Sequence, residues 1–596
     1  MRHDHSFKHI IFIAAATLTL TFGFAVTDCL ACTAVYVGSK VSTDGTVIMA
    51  RSNDSQHIWP NYVLVTPREE NKPGRTMPVN ANGEIRVDLP DTTYKYTATP
   101  FMDAKLTGEG GQRDAAVCAN EYGVAMTMSV TAFANKAALD ADPLVENGLI
   151  EDCIDDLVIC QSKTAREAVQ VLASIMDKYG TAESNIGLIA DQNETWLFET
   201  YTGHQYAAVK LPDDKVAAFG NEYTLEYLSE YEESIKSPDL LTMPEKNGFA
   251  VYGKDHELCL CDTYAGPSIT SDYSHMRTWI GHQILSPSKY GADYDHNARY
   301  PLCFEPDKKV GPEDVVAIMR NRYDGTGYSP DDTGRIDMRV IGTDTAMSVH
   351  MLQVYKDLPA EMSCVTWESV GPAIYGVFVP VSNAMTEVTS AYGLNQPGDE
   401  YGNFEIYKYP YYTYKELTTL CVEGKSSQVY GKPVRDYWKK AETGMFSGMQ
   451  QVLSKATAME DKTAAASYIS EYCNTIQDRA FTDAKSLLNT VMFTQSKNSN
   501  TMKLGKNPET GRYDKTERKL DPMEVKLDAS VYTKLPDEKD VQEVKKEEKT
   551  EEKTEETKEA NETASSGNKY DYNMLLLIVG AVIVIRMLIF MFYRRK

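Results

Sequence analysis

The stretch CTAVYVGSKVSTDGTVIMARSNDS, Cys32 to Ser55, holds two runs rich in β-branched and apolar residues, separated by Ser42-Thr43-Asp44-Gly45. An Asp-Gly pair between two such runs predicts a β-hairpin, because glycine accepts the positive φ that a tight turn requires. The hairpin folds its second strand back along the first. It therefore carries Arg51, near the end of that strand, to the side of Cys32, with Asp54 just beyond it.

Strands and helices alternate further along the chain. NIGLIAD (185–191), TWLFETY (195–201) and HQYAAVKL (204–211) read as a meander, with DQNE and TG as turns. KTAREAVQVLASIMDKYG (163–180) opens with a Thr164-to-Glu167 capping box, repeats apolar residues at helical spacing and ends on Gly180. The segment from Lys415 to Phe493 has a mostly helical pattern. Antiparallel strands with helices packed on their faces predict an α+β layered domain.

Residues 1–31 join a short basic segment (Arg2, Lys8) to an apolar run and small residues, the pattern of a secretory signal cleaved before Cys32. The folded domain is expected over 32–500 and a solvated, charged low-complexity stalk over 501–573, since segments such as KKEEKTEEKTEETKEAN bury nothing. Residues 574–593 are apolar for about 20 positions, enough to cross a bilayer. Arg586 interrupts that run and snorkels toward the basic tail, 594–596. The positive-inside bias puts the tail in the cytoplasm and the body outside the cell membrane. No Leu-Pro-x-Thr-Gly signal directs covalent anchoring; LPDEK at Leu535 does not supply one.

The net charge of −24 argues against nucleic-acid binding. Eleven cysteines in 596 residues are too sparse for a disulfide scaffold. The Cys259-x-Cys261 pair lacks zinc-ligand spacing and reads as two same-face residues of a strand.

Removal of the leader gives Cys32 a thiol and a free α-amino group together. An amine with pKa near ~7.7–8.0 is suited to taking a proton from a neighbouring nucleophile, and cysteine needs the least activation of any such side chain. A cation such as Arg51 lowers a thiol pKa, and Asp54 is placed to orient the amine. Two other readings of Cys32 stand beside this one: an ordinary structural thiol, and a lipoprotein acceptor, for which Cys29 replaces the usual aliphatic residue. Arg51 and Asp54 also fit a surface ion pair.

The same stretch closely resembles the mature start of bacterial secreted dipeptidases, cysteine N-terminal-nucleophile hydrolases related to penicillin V acylase and bile salt hydrolase. That family shows Cys-Thr, an Asp-Gly turn and then Ala-Arg-Asn-Glu-Asp-Ser; this chain departs at Ser52 and Asn53 and keeps Arg51 and Asp54. CANEYGVAMT (118–127), the meander, YSHMRTWIGHQILSP (273–287), PDKKVGPEDVVAIMRNRYDGT (306–326) and LPAEMSCVTWESVGPAIYGVFVPV (358–381) follow in the family's order. The resemblance implies an αββα sandwich with Cys32 on the first strand at the sheet edge. It also implies a mostly helical C-terminal part, no metal or cofactor, and amide hydrolysis of dipeptides or short peptides through a thioester. It places Arg51 and Asp54 beside the nucleophile, and it makes Asn221 the oxyanion donor and Arg277 an active-site arginine. As bare residues, Asn221 is equally a turn asparagine and Arg277 a helix-surface residue. Asn120 reads as structural, and His204 is left out of the mechanism because the terminal amine already supplies a base. An acylase of non-peptide amides and a lipidated, non-catalytic binding protein are the competing functions, and either form is compatible with a homo-oligomer.

Overall fold

In the computed structural model, residues 32–535 are described apart from 56, 81–82, 101–114, 267–270, 336–337, 396–403, 423–425, 500–501, 507 and 518–519. The expected leader, the transmembrane span, the tail and the stalk beyond 535 lie outside the described residues. Among the described residues no helix is long and apolar enough to cross a membrane.

The Asp44-Gly45 turn forms as expected. Gly45 has φ +79°, and Asp44 Oδ1 accepts the Thr46 N–H at 3.1 Å and the Ser42 hydroxyl at 2.8 Å. It joins β1 (Ala34–Val37) to β2 (Val47–Asp54). The chain then builds β3 (Leu64–Thr66), β4 (Tyr96–Pro100), β5 (Ala115–Asn120) and β6 (Ala125–Val130), followed by helices α1 (Glu151–Ile159) and α2 (Ala165–Tyr179). The meander follows as β7 (Asn185–Ala190), β8 (Thr195–Thr200) and β9 (Tyr206–Lys210), each antiparallel to the next. Next come β10 (Val216–Phe219), β11 (Ser234–Lys236), α3 (Asp272–Leu285) and α4 (Pro312–Met319). Strands β12 (Ala346–Val354), β13 (Cys364–Val370) and β14 (Val379–Ser382) precede α5 (Pro410–Cys421), α6 (Lys432–Thr457) and α7 (Lys462–Asn498).

One sheet has the order β10-β1-β2-β12-β13-β14 and the other β11-β9-β8-β7-β6-β5-β4-β3. The period of two along each strand sorts the side chains into layers. Tyr36, Met49 and Leu352 of the first sheet meet Leu188, Leu197 and Val209 of the second in one core. On the far face of the second sheet, Met126, Ile189 and Trp196 pack with Leu157 of α1 and Leu172 of α2. On the far face of the first, Val35, Ile48 and Met351 pack with Ile280 of α3, Ile318 of α4 and the long helices α6 and α7. The α+β expectation and the helical C-terminal part are both present.

Several details differ from the sequence reading. β1 is not at the sheet edge, because β10 pairs along its outer side with Ala34 opposite Phe219; Cys32 lies at a strand end instead. Thr164 caps α2 by accepting the Glu167 N–H at 3.1 Å, but Glu167 reaches the Lys163 N–H at 2.8 Å, one residue before the position a reciprocal box uses. Cys259 and Cys261 are not on a strand. They straddle the start of a helical turn, Leu260–Tyr264, where the Cys261 thiol donates to the Tyr223 and Leu225 carbonyls at 3.0 Å.

The folded body also continues past residue 500. Met523, Val525, Leu527, Val531 and Tyr532 lie on the helical layer of the first sheet. Apolar residues at every second position among charges disappear in a composition window, yet an extended segment puts them all on one side. Tyr532 is fully buried, and its hydroxyl donates to Asp483 Oδ2 at 2.7 Å, as does that of Tyr437. Gly444 of α6 makes room for it, since a Cβ there would stand 3.2 Å from the Tyr532 Cβ. Tyr532→Ala is expected to cost about 3 kcal/mol, in the range for deleting a buried aromatic ring. Chemical denaturation checks this, and loss of the chain beyond residue 500 lowers stability by at least as much.

Candidate active site

Cys32 is one residue beyond the hydrogen-bonded end of β1, which is held by the Ser52 N–H on the Thr33 carbonyl (3.0 Å) and the Thr33 N–H on Ser52 Oγ (3.1 Å). Ala34 pairs with Arg51 across the hairpin. Cys32 shares the parity of Ala34 and Tyr36, and Arg51 that of Val47 and Met49, so both side chains enter the layer between the sheets. Here they line a small pocket with Thr127 and Ser129 of β6, Phe219 at the end of β10, and Asn221.

Cys32 is 4% exposed. Burial pushes its pKa up; Arg51 pulls it down, while Glu151 and Asp54 push it up again. The expectation that Arg51 activates the thiol is therefore met only in part, and the reason is a partner that sequence reasoning missed. Arg51 Nη1 is 2.8 Å from Glu151 Oε1, in a pair whose side chains are 2% and 9% exposed. Glu151 opens α1, and its Oε2 accepts the Val130 N–H at 2.7 Å. Glu183 in turn accepts the Glu151 N–H at 2.6 Å. Of the two readings of Arg51, the surface ion pair is excluded by this burial.

Arg277 is fully buried rather than on a helix surface. From α3 its Nη1 donates to the Cys32 carbonyl and, at 2.9 Å, to Thr33 Oγ1. Its Nη2 donates to Asn221 Oδ1 at 2.9 Å. Two glycines allow the approach. A Cβ on Gly281 would stand 2.4 Å from the Ala218 Cβ of β10, so α3 lies that close only without one; a Cβ on Gly220 would press on the guanidinium at 3.3 Å. Asn221 Nδ2 donates to the Val130 carbonyl at 2.7 Å. With Oδ1 on a pure donor and Nδ2 on a pure acceptor, the amide orientation is determined. An amide nitrogen carries two hydrogens, so one N–H of Asn221 remains for a ligand in the pocket.

Asp54 is buried at the end of β2, and its Oδ2 pairs with Arg339 Nη2 at 2.7 Å. Its Oδ1 is buried without a hydrogen-bond donor. Burial raises its pKa, against the pull of Arg339 and Arg277. The structure thus brings Cys32, Arg51, Asp54, Asn221 and Arg277 together at one end of the first sheet, Cys32, Arg51 and Asn221 lining the inter-sheet pocket and Asp54 and Arg277 on the side of α3. Arg339, on a segment with no motif, and Glu151 are the functional neighbours that only the fold reveals. Asn120 is structural: its Nδ2 donates to the Ile159 and Ser162 carbonyls at 2.9 and 2.7 Å. His204 sits in the β8–β9 turn, with Nδ1 3.0 Å from Asp142 Oδ1 and no place in the pocket. Among the described residues no cluster of three or more His, Cys, Asp or Glu is arranged to hold a metal ion.

The chain is 31% identical over 380 residues to "Probable dipeptidase B" of Streptococcus pyogenes serotype M1, covering 61% of this chain and 74% of that one. It is 29% identical over 480 residues to "Probable dipeptidase B" of Lactococcus lactis subsp. lactis (strain IL1403), covering 78% and 96%. The penicillin V acylase structure from Agrobacterium tumefaciens covers 60% of this chain and 87% of its own, at 13% identity and a TM-score of 0.29. The pattern of Peptidase family C69 matches residues 31–439, from the start of the hairpin into α6, and the chain belongs to that peptidase family.

Proposed function

We propose that the protein is a dipeptidase that cleaves its substrate through a thioester on Cys32, with the α-amino group of Cys32 as the base. The single observation that carries this reading is the convergence on Cys32: Arg277 binds its carbonyl and Asn221 together, while Arg51 stands beside its thiol. The names of the relatives, both dipeptidases, support the substrate class.

The chemistry follows from the groups present. Burial keeps the thiol protonated at neutral pH, so a base must remove its proton before attack. The free amine of a Cys32 start takes that proton, and the sulfur adds to the peptide carbonyl carbon. The oxygen that becomes negative meets the remaining Asn221 N–H, a contribution of ~2.7–4 kcal/mol at the transition state. Collapse breaks the C–N bond, and the ammonium of Cys32 returns its proton to the departing amine. Water then attacks the thioester, giving up its proton to the same amine, and releases the acid with the thiol restored. The unpartnered Asp54 Oδ1 is suited to hold that ammonium in orientation. In the reading we favour, the enzyme is exported and held at the cell membrane by 574–593; the support for this is the charge and hydropathy pattern alone.

The purified enzyme is expected to begin at an unmodified Cys32, and a chain still carrying residues 1–31 to be inactive, because an amide nitrogen cannot accept the proton. The mass of the N-terminal peptide checks this, and a diacylglycerol on Cys32 overturns the mechanism. Cys32→Ala abolishes hydrolysis of free dipeptides. Faster cleavage of N-acylated amines than of dipeptides in a side-by-side panel would transfer the reading to an acylase.

The pH profile of kcat/KM is expected to be a bell. Protonated amine at low pH cannot take the thiol proton, so activity rises with pH through the first ionisation of the thiol–amine pair. Loss of the second proton leaves nothing for the departing amine, so activity falls again; the two limbs belong to the pair rather than to either group. Cys32→Ser, whose hydroxyl does not ionise in this range, keeps the acid limb and loses the alkaline one. Unaltered limbs in that variant would remove the thiol from the proton path.

A further inference from the structure

We propose that Glu151 is a positioning residue that ties the two sides of the site together, one carboxylate oxygen holding Arg51 beside Cys32 and the other holding the Val130 peptide on which Asn221 is braced. The inference rests on Cys32 acting as the nucleophile. Its geometry is a closed chain of short contacts: Arg51 Nη1 to Glu151 Oε1 at 2.8 Å, Val130 N–H to Glu151 Oε2 at 2.7 Å, and Asn221 Nδ2 to the Val130 carbonyl at 2.7 Å. One carboxylate thus sets the positions of the cation next to the sulfur and the amide that faces the substrate oxygen. A carboxylate bridging two rigid elements does this without a flexible loop, since Glu151 starts a helix and Val130 ends a strand.

The position of Glu151 is itself over-determined. Glu183 accepts its backbone N–H at 2.6 Å, which seats the first turn of α1 against the loop before β7. The carboxylate has almost no water to turn toward, being 9% exposed. Its removal would leave Arg51 a long hydrogen bond to the Ala116 carbonyl, at 3.4 Å, in place of a charged partner.

The charge matters as much as the geometry. Around Arg51 and Cys32 stand Asp155 one turn on along α1, His350 on β12 and Glu368 on β13. On the other side of Cys32 stand Asp54, Arg339 and Arg277. Burial pushes the Asp155 pKa well up and the His350 pKa well down, with Arg51 adding to the effect on His350 and opposing it on Asp155. Burial pushes Glu368 up to about 8. On the Arg51 side, Glu151 is therefore the carboxylate in direct contact with the arginine that balances its charge.

The test uses the processed enzyme carrying Glu151→Gln, which keeps an oxygen for the Val130 N–H and loses the charge. Two readouts are followed: the pH midpoint of Cys32 alkylation by iodoacetamide, measured on the N-terminal peptide by mass, and kcat and KM on a dipeptide. The expected result is a midpoint lowered by about half to one pH unit, because the Arg51 charge is no longer compensated. Along with it, kcat falls about tenfold while KM stays within about twofold, as expected for misplaced groups rather than lost binding. In an Arg51→Gln background the same substitution shifts the midpoint by less, since only the direct repulsion between Glu151 and the thiolate is then removed. An alkylation midpoint and kcat equal to the unaltered enzyme overturn the proposal, and so does an equal midpoint shift with and without Arg51. Should Glu151→Gln fail to fold, Glu151→Asp keeps the charge and withdraws it by one methylene; kcat then falls with the midpoint held, and an unchanged kcat overturns the proposal. Alkylation reads the Glu151–Arg51–Cys32 coupling whatever the substrate. Dipeptidase activity surviving Cys32→Ala sinks the nucleophile reading instead.

Discussion

The register of β1 against β2, with Ala34 opposite Arg51, is the constraint on which the site depends. A slip of one residue would turn Arg51 out of the inter-sheet layer and Ser52 into it, since strand side chains alternate faces. The register is held where it matters by the two Thr33–Ser52 hydrogen bonds at one end, one to the carbonyl and one to the hydroxyl, and the Asp44-Gly45 turn at the other. Between them every residue of both strands is buried with a core on each face, so a slip would also move Val35 and Ile48 out of the helical layer and their neighbours into it. Cys32 therefore inherits its position from a buried strand paired on both sides, and β10 on its outer side leaves no free edge next to it.

A buried cation without a partner is one of the most destabilising groups a fold can contain, and breaking such a pair costs about 3–5 kcal/mol. The Arg51–Glu151 pair satisfies that demand, but in doing so it returns much of the charge that a thiol needs for ionisation. Desolvation then dominates, and the Cys32 pKa lies above its ordinary value. A raised thiol pKa fits a mechanism that removes the proton only when the substrate is present. It also suits a nucleophile with its own base attached, because the proton moves within one residue and no ion pair must wait in the apolar layer. Arg277 adds a positive charge at the Cys32 carbonyl and the Asn221 oxygen, on the side away from the thiol.

Much of this was legible in the sequence, and the boundary of what was not has physical causes. The hairpin, the meander and α2 rest on local turn chemistry and short periods, which a single strand of text carries. The grouping of Cys32 with Arg51 follows from the hairpin alone. Arg277, in contrast, comes from a helix more than two hundred residues away, and only the resemblance singled it out among the other arginines. Glu151 and Arg339 had no signal of any kind: Glu151 opens a helix and Arg339 lies in an irregular segment, and each gains its meaning from a long-range partner, Arg51 or Asp54. The 520–535 segment was hidden for a different reason, since its apolar residues alternate with charges that dominate the composition.

One register row crosses the first sheet from β1 to β13 as Ala34, Arg51, His350 and Glu368. Its polar members share the parity of Met49, Leu352 and Cys364 and so enter the inter-sheet layer, where apolar side chains would pack more stably. Thr127 of the facing sheet donates to the Ala116 carbonyl at 3.0 Å and stands 2.8 Å from His350 Nε2. A hydroxyl that has spent its hydrogen can only accept, so the histidine carries its proton on Nε2 and presents a bare Nδ1 to the layer. Arg51 Nε, His350 Nδ1 and both Glu368 oxygens are buried without hydrogen-bond partners. Each such group costs about 1–3 kcal/mol. A cost of that kind, aligned in one row that ends beside Cys32, is not explained by packing, and departures of this sort are expected where a fold serves chemistry. Because the row belongs to paired strands and not to loops, the thiol and the groups around it are held by the same backbone ladder that holds the sheet.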